Sequence, residues 1–411
     1  MDKIASVVGH PFQVFVRSTS TNNNNNDNEN NNENFVDIPP PMEGWTIPQV
    51  IQYSIQLLQE YDISEPEASV QQLLVHALAL DWHTGVRQLS QWTQEQVVLT
   101  PSQDGHFREL LSRRLHHEPI QYLLGQWDFL DYIVKIRPPL LCPRPETEEL
   151  VMKVVLEDDV VRTGSWYSNN LDEINNNMNN NRVCSDLRIL DVGCGTGVIG
   201  IALADQLSRR HFARLSASSS SPSSSSSTTT TTTTTNTVST RTRVVVEAID
   251  VDPIAIEVSR ENANRLLTDK QHDESIRYNA SLVSAQDFVP NEKFHIVVSN
   301  PPYIPRGEVL EPQVCLWESE RALFAGEDGL DVIKIILERL PDWCHPNATC
   351  WMEVDPSHPP LIQKELLRQN NDVDNNNNNN KHRRVRFVES YQDMFGKDRF
   401  VKLLVNHEPT T

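Results

Sequence analysis

No two cysteines of the chain stand in a CxxC pair. Cys142, Cys184, Cys194, Cys315, Cys344 and Cys350 are scattered, and none keeps metal-ligand spacing with a histidine. Neither a zinc site nor a disulfide framework is indicated, so no metal is expected and a reducing compartment is the simpler setting. Long apolar runs are missing as well: none approaches the roughly 18–20 residues of a membrane span, and the chain is expected to be soluble, with no membrane partner. Basic charge is the third scarcity, since 36 Lys+Arg face 56 Asp+Glu for a formal net charge of −20. Non-specific nucleic-acid affinity comes mainly from Lys and Arg displacing counterions, which makes nucleic acid a poor first candidate for the substrate.

The 411 residues leave room for one large domain and a small one. The opening "MDKIASVVGHPFQVFVRSTS" carries Lys3 and Arg17, several hydroxyls and a single acid, and loosely fits a mitochondrial or plastid presequence. Four tracts, Asn22 to Asn34, Asn169 to Asn181, Ser216 to Thr235 and Asn375 to Asn380, offer almost nothing apolar to offset the entropy of ordering them. Each is expected to be a disordered surface insertion, and surface loops lengthen at small thermodynamic cost. The division that follows is 1–45 presequence-like and Asn-rich, 46–117 helical, 118–143 a hairpin connector, and 144–411 a large domain with insertions near 165–183, 212–240 and 370–381.

Within the helical part, Val70, Leu73, Leu74, Ala77 and Leu78 fall at helical spacing after a candidate cap at Ser64 with Glu67, and Phe107, Leu110, Leu111 and Leu115 repeat the pattern. Arg113, Arg114, His116 and His117 read as a solvated helix end in preference to an RNA-contact patch. A short alternating stretch around Phe129 to Ile136 predicts the hairpin, and a helix is expected from about Glu146. From Leu187 onward the pattern changes. Apolar strands "LRILDV", "RVVVEAID", "FHIVVSN", "CWMEV", "RVRFVES" and "RFVKLLV" alternate with helices near 198–207, 253–267, 329–340 and 359–367. Near-continuous Val/Ile runs separated by helices indicate a mainly parallel, doubly wound α/β sheet covered on both faces. Ligands of such sheets bind beyond the carboxyl ends of the strands, where strand order reverses.

The first of these strands ends in "LDVGCGTGVIG". Asp191 closes it, and Gly193, Gly195 and Gly197 form a turn where the backbone must approach a ligand closely. Gly195 to Gly200 also satisfies GxGxxG, a weak signal alone; the acid followed by G-x-G-x-G resembles the S-adenosylmethionine loop of class I methyltransferases, which implicates Cys194 and Thr196 beside the glycines. Cys194 reads as a small tolerated side chain and not a redox switch. Asp250, ending "VEAID", is suited to accept both hydroxyls of a ribose, with Asp252 as the rival. Its separation from Gly200 is 50 residues where about 20 are expected, and removing the 25 positions 216–240 accounts for the excess. Asp287 and Phe288 in "SAQDF" offer an acceptor and an apolar wall for an adenine, the alternative being an ordinary loop acid and a core Phe.

"VVSNPPYIP" then places Asn300, Pro301, Pro302 and Tyr303 at the carboxyl edge of the "FHIVVSN" strand, beside the glycine loop. The lone pair of an amide or aromatic amino nitrogen is delocalised, so such a nitrogen is a poor nucleophile. The Asn300 side-chain oxygen and the Pro301 carbonyl can accept its two N–H hydrogens and aim it at an activated methyl, while Tyr303 lines a planar group. Both bonds would strengthen as conjugation is lost in the transition state. Glu353, at the end of another strand, is either a site acid or a partner for backbone amides.

"PRPETEELV" at Pro143 to Val151, "LDVGCGTG", "VVSNPPYI" and "EPIQYLLGQWDF" at Glu118 to Phe129 together resemble the HemK/PrmC family of release-factor glutamine methyltransferases over roughly residues 46–405 apart from the tracts. The resemblance implies a class I fold with an N-terminal helical substrate-recognition domain, S-adenosylmethionine as cofactor, and N5-methylation of the glutamine in the GGQ motif of a peptide chain release factor. It also implies that Asn300 and Pro301 hold the glutamine amide, that Tyr303 and Phe129 line its pocket, and that Arg144 and Glu146 belong to a closing loop. The helical domain and "GQWDF" look like organellar members, which implies a mitochondrial matrix location, with plastid or cytosol as alternatives. The chain departs from the family pattern at "MEVDPSHPP" and "DMFGKDRFV". Two other functions stay open: an N6-adenine methyltransferase on DNA or RNA, which shares NPPY, and a catalytically silent cofactor-binding scaffold. A monomer is compatible with the chain.

Overall fold

The computed structural model describes residue 42 and residues 44–164, 186–218, 243–268, 275–375 and 383–407, the side chains of 211–218, 371–375, 383 and 407 excepted. The expected presequence and most of the four tracts lie outside these residues. Residues 216–218 and 375 sit at the ends of helices.

Helices α1 (Ile47–Glu60), α2 (Pro66–Ala77), α3 (Gly85–Gln94) and α4 (Pro101–Leu115) enclose their own core, with Val70, Leu73, Leu74, Phe107 and Leu111 completely buried. Burying side chains of this size stabilises by about 1.5–3 kcal/mol each. The start of α4 is fixed locally. Thr100 accepts from the Gln103 N–H at 3.3 Å while Gln103 Oε1 accepts from the Thr100 N–H at 3.0 Å, a reciprocal cap over Pro101. The expected cap of α2 is displaced by one residue: Glu65, in a left-handed conformation at φ 51°, precedes Pro66 without a side-chain cap bond, and the Ser64 hydroxyl reaches Gln313 at 3.2 Å. Pro66 needs no amide partner at the first helical position, so a hydroxyl cap is dispensable there.

After the short α5 (Ile120–Leu124), strands β1 (Gln126–Phe129) and β2 (Tyr132–Lys135) form the expected antiparallel hairpin. Helix α6 (Pro145–Glu157) and the single turn α7 (Asp159–Thr163) lead into the sheet.

Seven strands form that sheet: β3 (Asp186–Val192), β4 (Arg243–Asp250), β5 (Ile276–Leu282), β6 (Phe294–Ser299), β7 (Cys344–Glu353), β8 (Arg383–Gln392) and β9 (Asp398–His407), in the order β5-β4-β3-β6-β7-β9-β8. Pairing is parallel from β5 to β7 and antiparallel at β9 and β8. Helices α8 (Val198–Ser218), α9 (Pro253–Thr268), α10 (Pro312–Cys315), α11 (Glu320–Leu323), α12 (Asp331–Trp343) and α13 (His358–Asn375) complete the described elements. One face of the sheet packs on α6, α8 and α9, and the other on α12 and α13. Strand β5 escapes the sequence pattern because "IRYNASL" is half polar and edges the sheet, with only Ala280 buried.

The chain runs outward from β3 through β4 to β5 and then returns to the other side of β3 as β6. Strand order therefore reverses between β3 and β6, which is where a doubly wound sheet opens a crevice at its carboxyl edge. The glycine loop after β3 and the NPPY turn after β6 meet at this crevice.

Candidate active site

The loop is held from beneath by a carboxylate. Asp191 is completely buried and its Oδ2 accepts from the Gly200 N–H at 2.9 Å, tying the strand end to the first turn of α8. Burial pushes this carboxyl up to about 7, only partly offset by that N–H. Gly193, Gly195 and Gly197 all have positive φ, at 71°, 52° and 83°. At Gly197 the close approach adds to the dihedral, since a Cβ would lie 2.8 Å from the Tyr278 hydroxyl and 2.9 Å from Ser259.

Above the loop lies a cavity of about 330 Å³, within the usual range for small-molecule sites. Its floor is Gly193, Cys194, Gly195 and Thr196, and Val198 and Ile199 extend it along α8. Asp250 lies at one side, its Oδ2 accepting from the Gly195 N–H and its Oδ1 from the Asp252 N–H, both at 2.9 Å. Burial raises the Asp250 carboxyl, and these backbone donors counter it. Val283, Ser284, Ala285 and Gln286 form a further wall, with Ala322, Val332 and Ile335 on the α11 and α12 side. Asn300 and Pro302 complete it opposite the loop, and Thr147, Pro143 and Leu141 come from the segment that starts α6.

Asn300 is held by a chain of hydrogen bonds. Its Nδ2 donates to Thr147 Oγ1 at 3.1 Å, Thr147 Oγ1 donates to Glu353 Oε2 at 2.7 Å, and the Tyr303 hydroxyl donates to Glu353 Oε1 at 3.1 Å. The Asn300 side chain lines the cavity, and its Oδ1 takes no part in this chain. Glu353 is 1% exposed, and burial pushes its carboxyl up to about 6 against the pull of Thr147, Tyr303 and the Arg399 cation. Burial beside Glu353 raises the Tyr303 hydroxyl too, so it stays protonated at neutral pH.

These residues fit S-adenosylmethionine. Asp250 supplies a carboxylate for a diol, Gly193 and Gly195 leave two positions of the loop wall without a Cβ, apolar side chains form other walls, and Asn300 brings a side-chain amide to the lining.

Two family models match the chain: the PrmC N-terminal domain over residues 49–125 and the RMKL-like methyltransferase domain over residues 178–311. The human "MTRF1L release factor glutamine methyltransferase" is 30% identical over 332 residues, covering 80% of this chain and 81% of its own length. The chain belongs to the release factor glutamine methyltransferase family. Members from Koribacter versatilis, 26% identical over 321 residues (76% of this chain, 89% of theirs), and Bacillus anthracis, 27% over 355 residues (86% and 97%), match it along similar lengths. The first family match ends one residue before β1, so it spans α1–α5, and the second runs from ahead of β3 to just past NPPY. The larger part has the Rossmann-like class I methyltransferase fold with a helical part before it.

In this release factor glutamine methyltransferase the sequence expectations resolve residue by residue. Gly193, Cys194, Gly195, Thr196, Asp250, Asn300 and Pro302 line one cavity. Gly197, Pro301 and Tyr303 adjoin it without lining it; Tyr303 packs its ring toward the α12 side of the core and turns its hydroxyl to Glu353. Asp191 lies below the loop, buried and committed to Gly200, so it shapes the cavity without facing it. Asp252 caps α9 by accepting from the Ile254 N–H at 2.8 Å. Asp287 and Phe288 are displaced from the expected roles. Ser284 donates to Asp287 at 2.7 Å in a tight turn, and Phe288 packs on Phe294 and Trp343 with ring centroids at 6.2 and 6.0 Å, which leaves residues 283–286 to reach the cavity.

Phe129 is likewise a core residue, 1% exposed, packed among the buried residues of α6. Arg144 makes two 2.9 Å contacts to Glu318, a buried carboxylate whose ionised form the guanidinium favours against the cost of burial. This pair pins the start of α6 to the segment after NPPY. Glu146 lies in the first turn of α6 and does not line the cavity. Thr147 carried no signal in the sequence beyond sitting inside "PRPETEELV", and Glu353 proves to bind side-chain hydroxyls in place of backbone amides. The expected solvated helix end holds at Arg113 and His116, both exposed, and is corrected at Arg114, which is 3% exposed and donates to Ser69, to the Glu118 and Ser64 carbonyls, and to Gln313; Arg113 pairs with Glu118 at 2.5 Å.

Proposed function

We propose that this protein transfers a methyl group from S-adenosylmethionine to N5 of the glutamine in the GGQ motif of a peptide chain release factor. The observation that carries the reading is Asn300, which lines the same cavity as the glycine loop and Asp250 and has its Nδ2 committed to Thr147. S-adenosylmethionine, when bound, supplies an electrophilic methyl. Asp250 holds its ribose, and the backbone of residues 193–197 holds the remainder close to the sheet edge. Asn300 Oδ1 and the Pro301 carbonyl accept the two N–H hydrogens of the glutamine amide, and Pro302 helps wall the space beside it. Catalysis by these groups is positioning and polarisation: the two acceptors bind more strongly as the nitrogen loses conjugation, and the amide proton leaves after transfer without a dedicated base.

The helical part, residues 46–117, is the natural platform for the body of the release factor. It is fastened to the hairpin through Trp82 to Asp128 at 2.7 Å and to the methyltransferase part through Trp317 to the His116 carbonyl at 3.1 Å. No helix among the described residues is long and apolar enough to cross a membrane. The hydroxyl-rich opening with Lys3 and Arg17 favours delivery to the mitochondrial matrix, and we take the protein to act there as a monomer.

The test is label transfer from methyl-tritiated S-adenosylmethionine to an organellar release factor, to the same factor with the GGQ glutamine replaced by alanine, and to adenine-containing DNA and RNA. Label on the first alone supports the reading. Label on nucleic acid instead would move the activity to adenine.

A further inference from the structure

An amide side chain presents an oxygen at one corner and an NH₂ at the other, and only hydrogen bonds decide which faces a ligand. At Asn300 the deciding partner is a hydroxyl, which can serve either way. Thr147 Oγ1 has one proton, and that proton is committed to Glu353 Oε2 at 2.7 Å. The second carboxylate oxygen is taken by the Tyr303 hydroxyl. An ionised carboxylate only accepts, so both hydroxyls must donate to it, and Thr147 can meet Asn300 only with a lone pair. Asn300 then turns NH₂ to Thr147 and Oδ1 to the cavity.

Protonation of Glu353 changes this order. The carboxyl gains one O–H to give, and if Thr147 accepts it, the Thr147 proton swings to Asn300 and calls for Oδ1. The amide would flip and set NH₂ against the substrate NH₂, donor against donor.

We propose that Thr147 and Glu353 are positioning residues: the ionised Glu353 carboxylate, acting through Thr147, holds Asn300 Oδ1 toward the substrate amide, and protonation of Glu353 releases it. The inference rests on the reading of the site as a glutamine methyltransferase. Sheet register brings the pieces together, since Ser299 pairs with Met352 and so the next residues, Asn300 and Glu353, leave adjacent parallel strands side by side. The groups facing Glu353 are Thr147 and Glu146 from α6, Tyr303 from the NPPY turn, and Arg399 from β9, which also lies 3.6 Å from Asp393. Arg399 favours the ionised form and Glu146 opposes it, while burial places the titration of Glu353 near 6, inside the range where activity can be measured.

Two readouts test this. In protein labelled with ¹⁵N-asparagine, the Asn300 side-chain amide, assigned by its loss in Asn300→Ala, should shift with a midpoint near pH 6 in the wild type and should not shift in Glu353→Gln. In steady-state assays, kcat of the wild type should fall on the acid side of the same midpoint. Glu353→Gln should lose that acid limb together with 10- to 100-fold of kcat, on the order of what removing an orienting partner costs, with S-adenosylmethionine affinity unchanged. Thr147→Val should lose as much, and Thr147→Ser should recover most of it. An Asn300 resonance that ignores pH between 5 and 8, or that titrates equally in Glu353→Gln, would overturn the proposal. A wild-type protein that methylates no glutamine but shows the Asn300 titration would instead overturn the functional reading and leave the relay standing.

Discussion

Asn300 contributes one oxygen atom to the chemistry proposed here, and the surrounding side chains exist largely to aim it. Replacing it with alanine removes an acceptor that strengthens in the transition state, so methyl transfer should fall by about 10²–10³-fold while S-adenosylmethionine still binds. Calorimetric titration beside a rate assay checks both halves. Asp191 makes a separate prediction. Its carboxyl stands at about 7 in the fold against an ordinary 3.8, so the fold favours its protonated form. Its contribution to stability is full below about pH 4 and is lost as pH rises through 7, and Glu353, raised to about 6, adds the same sign. Asp191→Asn keeps an oxygen for the Gly200 N–H and removes the titration. The ligand-free variant should therefore melt above the wild type at pH 8, by a margin that shrinks as pH falls to 5; equal melting curves at both pH values would contradict the assignment. Asp191, Asp250 and Asn300 were legible in the sequence because each ends an apolar strand. Thr147 was not, because its importance depends on a partner 153 residues away.

At the scale of elements, the glycine loop works because α8 sits directly on the sheet. Gly200 is the contact: a Cβ there would lie 2.9 Å from both Asp191 Oδ2 and Val246 Cγ1. Gly200→Ala should destabilise the fold by roughly 1–3 kcal/mol and weaken S-adenosylmethionine binding, since the helix must move off the strand that carries Asp191. Denaturant unfolding and titration measure the two effects. Arg114 performs a comparable task between parts of the chain, joining α2, α4 and α10 through Ser69, Glu118 and Gln313. Its replacement by alanine should cost on the order of 3 kcal/mol in the same unfolding experiment, because it strands buried acceptors. Periodicity revealed α2, α4 and the main strands. It could not reveal β5, whose edge position removes the apolar signal, nor that Arg114 turns inward, since an arginine at a helix end looks the same in sequence whether it meets water or Gln313.

For the whole molecule, topology is what assembles the site. Loops that lie more than 100 residues apart in the chain converge because β3 and β6 are neighbours at the reversal of strand order. That outcome was readable from strands alternating with helices and from two motif-bearing strand ends, whereas the cavity's third wall depends on how residues 283–286 and α11 fold back, which no motif encodes. The net charge of −20 also makes the chain as a whole a poor electrostatic match for a phosphate backbone. The most direct measurement is mass spectrometric mapping of a release factor after incubation with S-adenosylmethionine and either the wild type or Asn300→Ala. The account predicts one added methyl on the side-chain amide of the GGQ glutamine with the wild type and none with the variant. A methyl on any other residue, or an equal yield from Asn300→Ala, would contradict it.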